Sequence, residues 1–309
     1  MKTSRVFAIL LLFISVIAKA QDKDTYPFAE RDSTLYLDVY RPVIQRADKA
    51  AVIAVFGGGF VTGARDNKYQ RSLADSLTQR GFTVISIDYR LGLKDTLMVR
   101  EKSGLTKATG LFQYCVDIAT EDCAEAIAWV CDHAKDLNID ANKIILTGSS
   151  AGAITVLQLD YCRANSLPLA ATLPKDWKPA AVISYSGGVM CRKSDLKYDT
   201  PPATTLLLHG TKDKIVAYKQ FGLPFSSKLF GSYRIDQEMK KQEAPHWILR
   251  YEGIGHEVAS WFPGSVDVFC CFTDLALNKR SSHLDATTSD AALKPTEWTN
   301  MSLFELYKK

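Results

Sequence analysis

Between residues 35 and 280, short apolar runs rich in β-branched residues alternate with longer segments of helical spacing. That alternation constrains the fold more than anything else in this chain, because strands separated by helices pair in parallel and need helices on their faces. It predicts a single α/β domain with a mostly parallel central sheet flanked by helices. The first strands are expected at 35–40 and 51–56, the second a continuous apolar run of the kind buried on both faces. Residues 66–80 read as a helix closed by Gly81, and 83–88 as the next strand. Residues 117–134 have helical spacing, and 143–147, 181–185, 204–208 and 246–251 complete the strand series. Two segments break the alternation. Residues 93–114 are long for a strand-to-helix connection and read as an insertion or a small extra helix. Residues 281–309 form a polar, weakly periodic tail of which only 298–307 is expected to dock.

The first twenty residues read as an export signal. Lys2 and Arg5 give a basic start, residues 6–18 an apolar run, and Ala18-Lys19-Ala20 a small-x-small cleavage site. Thirteen residues fall short of the roughly 20 that span a bilayer, so cleavage is expected rather than a stable membrane anchor. The expected organisation is therefore a signal at 1–20, an α/β catalytic domain at 21–280 and a tail at 281–309, in a periplasmic or secreted protein. Lys2, Arg5 and Lys19 account for three of the 38 basic residues, which leaves 35 against 34 acidic ones. Such a balance implies no basic surface for nucleic acid.

All seven cysteines lie after the signal, and three of them, Cys115, Cys123 and Cys131, recur every eight residues along a helical stretch. They read as small apolar core residues rather than disulfides. Neither the cysteines nor the histidines have metal-ligand spacing, and Gly57-Gly58-Gly59 lacks the later glycine of a dinucleotide fingerprint, so no metal and no cofactor are expected.

The sharpest local motif is Gly148-Ser149-Ser150-Ala151-Gly152, set between the strand-like I-I-L-T and the apolar A-I-T-V-L-Q-L. In that strand-turn-helix context G-x-S-x-G is a nucleophile elbow. The middle serine takes a strained backbone, and the flanking glycines let strand and helix approach without a Cβ clash. A serine hydroxyl needs a base, and a base needs an orienting acid, in the chain order Ser, Asp, His. Asp213 ends a turn after the strand L-L-L-H-G, and His256 sits on a glycine-flanked loop after the last strand. Asp213 would hold the imidazole of His256 in the useful tautomer, and His256 would carry the proton of Ser150 to the leaving group. His133, His209, His246 and His283 have weaker contexts, and Asp195 and Asp199 precede the strand whose end should supply the acid. Acyl transfer also needs donors aimed at an oxyanion. The Phe56-Gly57-Gly58-Gly59-Phe60 loop follows an apolar strand and offers glycine amides, and the amide of Ala151 is the second source.

Taken together, these motifs resemble the α/β-hydrolase superfamily, specifically the carboxylesterases and lipases related to hormone-sensitive lipase and to bacterial secreted ester hydrolases. The resemblance runs from Leu37 to Asn278 through L-D-V-Y-R-P at 37–42, G-G-G-F at 57–60, I-D-Y-R-L at 87–91, G-S-S-A-G at 148–152, H-G-T-K-D at 209–213 and G-I-G-H-E at 253–257. It implies Ser150, Asp213 and His256 as a catalytic triad and Gly58, Gly59 and Ala151 as oxyanion donors. Three departures matter: Phe56 stands where relatives carry His, Ala153 where many have Gly, and too few residues precede the first strand motif for a two-helix cap. An open, shallow site is therefore expected. The resulting expectation is an exported serine carboxylic ester hydrolase acting through an acyl-enzyme on small acyl esters, acylated carbohydrate among them. The alternative is a serine peptidase of the same fold, although this chain has no room for the β-propeller that precedes the triad in prolyl-oligopeptidase relatives.

Overall fold

The computed structural model describes residues 23–94, 105–192, 195–222, 226–280, 282–302 and 305. The expected export signal at 1–20 lies outside these residues. In chain order, β1 (Lys23–Glu30), β2 (Thr34–Tyr40) and β3 (Ala51–Val55) precede α1 (Lys68–Thr78), β4 (Thr83–Ile87) and α2 (Leu105–Asp132). Then come β5 (Ile144–Ser149), α3 (Ala151–Ala164), β6 (Ala181–Tyr185), β7 (Gly188–Cys191), β8 (Thr205–Gly210), β9 (Gln220–Phe221) and β10 (Lys228–Gly231). The chain ends with α4 (Ser232–Lys241), β11 (His246–Tyr251), α5 (Phe262–Leu277), β12 (Leu284–Thr288) and α6 (Glu297–Asn300).

Nine strands form one sheet in the order β1-β2-β4-β3-β5-β6-β8-β11-β12. The pairs β1/β2 and β2/β4 are antiparallel, and every pairing from β4 to β12 is parallel. Strands β3, β4, β6 and β8 are buried at every residue, which is why they read as unbroken apolar runs. The period of two remains visible in what each residue meets. On β3, Ile53 and Val55 join α2 and α3 in one apolar cluster, while Val52 and Ala54 join Leu73, Leu77, Phe269 and Phe272 of α1 and α5 in the other. The helices therefore cover both faces, as the alternation requires.

Helix α1 starts where the Asn67 side chain accepts from the amides of Tyr69 and Gln70 at 2.9 and 3.1 Å. It ends at Gly81, whose φ of 85° suits glycine and whose amide donates to Thr78 O. Helix α2 extends further than the helix expected at 117–134. Residues 105–114, expected to be an insertion or a small helix, are its first turns, and residues 95–104 lie outside the described residues. Cys115 and Cys123 are buried on α2 and Cys131 is half-buried there, and no cysteine is bonded to another. Burial pushes the thiols of Cys115, Cys123 and Cys162 up to about 12, which leaves them inert at neutral pH.

The two edges of the sheet are the strands that the pattern does not reveal. β1 carries Pro27 and an irregular register between Pro27 and Ala29, and much of it is exposed. β12 comes from the tail: Leu284–Thr288 pairs in parallel with Trp247–Tyr251. The tail set apart at 281–309 is thus part of the same sheet. An edge strand needs only one neighbour and little burial, so L-D-A-T-T carries no apolar signature. A second, three-stranded antiparallel sheet, β7-β10-β9, also went unread.

Candidate active site

The parallel strands deliver Ser150, Asp213 and His256 to one edge of the sheet, after β5, β8 and β11. Ser150 lies between β5 and α3 at φ 51° and ψ −118°, a region costly for a residue with a Cβ, of the order of 1–3 kcal/mol. Surrounding contacts impose it. The Ser150 amide donates to Tyr185 O at 2.9 Å, and Ser150 O accepts from the Ile154 amide at 2.9 Å. A Cβ on Gly152 would lie 2.1 Å from Val55 O, and one on Gly148 would lie 2.3 Å from the Gly152 backbone. Only glycines let β3, β5 and α3 converge so closely.

His256 opens a 3-10 turn after β11 and is 2% exposed. Its Nδ1 is 2.8 Å from Asp213 Oδ2 and its Nε2 is 2.8 Å from Ser150 Oγ. An ionised carboxylate only accepts, so Nδ1 carries the proton and Nε2 is left to accept from the serine hydroxyl. Asp213 is buried and accepts at Oδ1 from the amides of Ile215 and Val216, both at 3.0 Å. Burial raises its pKa, but the His256 charge and the hydrogen bonds from His209 and His256 outweigh that, holding the carboxyl well below the usual carboxylate range.

Of the other histidines, His209 is fully buried beside the acid loop. Its Nε2–H donates to Val216 O at 2.9 Å, and its Nδ1 accepts from Ser232 Oγ at 2.8 Å. It braces the acid loop without touching Ser150. His133 donates to Trp129 O and stacks on that indole, and Asp195 pairs with Arg234. Asp199 contributes its backbone amide, which donates to Asn165 Oδ1 at 3.0 Å. The fold does gather Asp236, His246 and His283, with one ligand atom of each within 4.8 Å of the others, a cluster invisible in sequence spacing. Oδ1 of Asp236 is 3.0 Å from His246 Nε2, and its second oxygen is 2.9 Å from Lys240 Nζ and 3.6 Å from Arg250, so both carboxylate oxygens already have partners.

The glycine loop after β3 lies against the elbow. A Cβ on Gly57 would be 2.7 Å from Ser149 Oγ and 3.2 Å from Ser150 Cβ. Gly58 and Gly59 take φ values of 139° and 63°, and Gly58 O accepts from the amides of Val61 and Thr62, which closes the turn. Phe56 stacks on Tyr89 at 4.4 Å, and the Tyr89 hydroxyl donates to Phe56 O at 3.0 Å. Apolar packing braces this loop. Ala151 is the first residue of α3, where a helix leaves its amides without internal acceptors and its N-terminus is partly positive.

Ser150 and His256 border a cavity of about 530 Å³ that also touches Gly58, Gly59, Leu73 and Phe262. That volume is the space available beside the triad, where an open, shallow site was expected. Room between α1 and α5 comes from the side-chain-free glycine loop and from small residues, Ala54, Ala259 and Ser260, on the lining. The residues that sequence reasoning missed come from the tail. Trp298 of α6 lies parallel to the His256 imidazole at 5.9 Å and 1°. Glu257 Oε1 accepts from the Thr296 amide, Thr296 Oγ1 and Thr299 Oγ1 at 2.7, 2.7 and 2.8 Å, and Oε2 from the Gly255 amide at 2.9 Å. The only signal available was an indole in an otherwise polar tail.

Comparison with known proteins agrees with this architecture. A model of the carboxylesterase family matches residues 15–166, and one of the α/β hydrolase fold matches residues 113–221. An arylesterase of Saccharolobus solfataricus is 32% identical over 170 residues, covering 52% of this chain and 47% of that protein. Lipase 2 of a Moraxella species is 30% identical over 105 residues, covering 34% and 20%. The chain thus spans less than half the length of these curated relatives. The native esterase 2 of Thermogutta terrifontis superimposes with a TM-score of 0.57 at 19% identity, over 84% of this chain and 91% of that one. Its propionate-bound form gives 0.55 at 20% identity. The fold is that of the α/β hydrolases. Within it, residues 15–166 are similar to the carboxylesterase family, and the arylesterase and lipase named above are its partial relatives.

Proposed function

We propose that this protein is a serine carboxylic ester hydrolase that works through an acyl-enzyme. The observation that carries the proposal is the unbroken chain of two 2.8 Å contacts from Asp213 through His256 to Ser150, with the serine held in a strained elbow. Ser150 Oγ attacks the ester carbonyl while His256 Nε2 takes its proton, and Asp213 stabilises the imidazolium that forms. The amides of Gly58, Gly59 and Ala151 and the α3 N-terminus receive the oxyanion. His256 then returns the proton to the leaving alcohol, and water releases the acid by the same steps. The cavity between α1 and α5 takes the ester, and its volume admits more than an acetyl ester. The finer parts of the proposal are export by residues 1–20 and a carbohydrate as the alcohol. Among the described residues no helix is long and apolar enough to cross a membrane.

Labelling with a fluorophosphonate probe, in parallel with turnover of nitrophenyl esters from acetate to palmitate, acetylated xylan, a feruloyl ester and an aminoacyl-proline amide, tests this reading. Ser150-dependent labelling with ester turnover is the expected result. Turnover of the amide alone would replace the esterase reading with the peptidase one, and absence of labelling would remove both. N-terminal sequencing of the exported protein should begin at Gln21; finding Met1 or Lys2 would overturn export by cleavage.

A further inference from the structure

Most large apolar side chains of this protein are buried, and eight among the described residues are exposed. Two of those eight, Tyr69 at 55% and Trp298 at 40%, line the same cavity as Ser150. They are the exposed aromatic side chains on that lining, while Phe56, Leu73 and Phe262, also on the lining, are buried. Trp298 is parallel to His256, the group that hands a proton to the departing alcohol, with its indole centred 5.9 Å from the imidazole.

The position of Trp298 is built, not incidental. The carboxylate of Glu257, the residue after His256, holds Thr296 and Thr299 on either side of it. The amide of Trp298 is itself capped by Thr296 Oγ1 at 3.2 Å. A Cβ on Gly255 would lie 2.3 Å from Thr299 Cα, so the histidine loop and the tail are in direct backbone contact. Beyond Trp298, Ser302 forms a parallel bridge with Lys214, next to Asp213. One strap from the tail thus crosses from the histidine loop to the acid loop, with the indole at its centre.

We infer that Trp298 is a specificity-determining residue, an aromatic platform on which the sugar ring of an acylated carbohydrate lies as leaving group, with Tyr69 as a second, weaker contact. The inference rests on the ester-hydrolase reading of Ser150, Asp213 and His256 and adds the alcohol to it. An aromatic face is electron-rich and apolar, which suits the weakly positive C–H face of a pyranose, and an exposed ring leaves the sugar hydroxyls in water. A fully apolar alcohol would instead call for an enclosed wall.

The test compares kcat/KM on an acetylated xylo-oligosaccharide with that on 4-nitrophenyl acetate for wild type, Trp298→Ala, Trp298→Phe and Tyr69→Ala. For Trp298→Ala the ratio of the two should fall about tenfold, mainly through KM for the oligosaccharide. Trp298→Phe should restore most of it. Tyr69→Ala, which leaves the strap and His256 untouched, should lower the ratio by about threefold. An equal loss on both substrates in Trp298→Ala would overturn the inference and reduce the indole to a support for the imidazole. A wild type that hydrolyses nitrophenyl acetate and not the oligosaccharide would also overturn it, while leaving the esterase reading standing. A wild type inactive on every ester would overturn that reading and this inference with it.

Discussion

The elbow around Ser150 and the tail strap around Trp298 meet at one histidine yet are specified in opposite ways. At the elbow, five consecutive residues carry the geometry: a serine with positive φ, and two glycines whose missing side chains admit Val55 O and the α3 backbone. In the strap, the local cap from Thr296 shapes the turn but does not place it. Thr296 and Thr299 are placed by a carboxylate about forty positions earlier, and the indole by a ring at position 256. Chemistry that tolerates no displacement is thus written into a short motif, whereas the surface that would select a substrate is assembled from distant parts.

Four substitutions separate the two regions. Ser150→Ala should lower kcat by about 10⁶, with circular dichroism unchanged, because the whole triad acts through that oxygen. Asp213→Asn should cost about 10⁴ in kcat, since the amide cannot hold the Nδ1–H tautomer; full activity would dismiss Asp213 as the orienting acid. Gly152→Ala should destabilise the fold by about 3 kcal/mol in urea unfolding, because the new methyl meets backbone that cannot yield. Glu257→Ala should cost about 1–2 kcal/mol by losing the acceptor for the tail, and limited proteolysis should release the strap before the core unfolds. A cost at Glu257 equal to that at Gly152 would erase the contrast.

The smallest effect is a pH dependence. Burial alone would raise the Glu257 pKa, but the hydrogen bonds from Thr296 and Thr299 bring it below its ordinary value of 4.5. A depressed carboxylate contributes stability that is fully present above its unfolded pKa and is lost as the pH falls through the folded one. The gap in urea midpoint between wild type and Glu257→Ala should therefore be widest at neutral pH and narrow on acidification below about pH 4. A gap independent of pH would show that the strap is held by packing rather than by the carboxylate.

How legible each strand of the large sheet was follows from its burial, whereas β7 and β10 are largely buried but only four residues long, too short to show a pattern. Strands β3, β4, β5, β6 and β8 were readable because strands covered on both faces must be apolar throughout, and those runs have no other explanation. Residues 181–185 and 246–251 were located to the residue. Strands β1, β9 and β12 escaped because edge or two-residue strands are stabilised by backbone pairing, which leaves no side-chain pattern. The first turns of α2 were read as an insertion or a small extra helix because residues 93–114 are long for a strand-to-helix connection. His209 was recognised as a neighbour of the acid loop, but its bonds to Val216 and Ser232 depend on how α4 packs.

By itself the sequence determined the α/β alternation, the elbow at 148–152 and the chain order of serine, acid and histidine. Each is a local consequence of backbone sterics, burial or strand-end position. Only the tertiary structure decided that Asp213, His256 and Ser150 lie within hydrogen-bonding distance, that a cavity of about 530 Å³ borders them, and that the polar tail returns to pair with β11 and set Trp298 parallel to His256. Those outcomes depend on contacts between residues up to a hundred positions apart, and such contacts are selected by the packing of the whole sheet rather than by any segment of it.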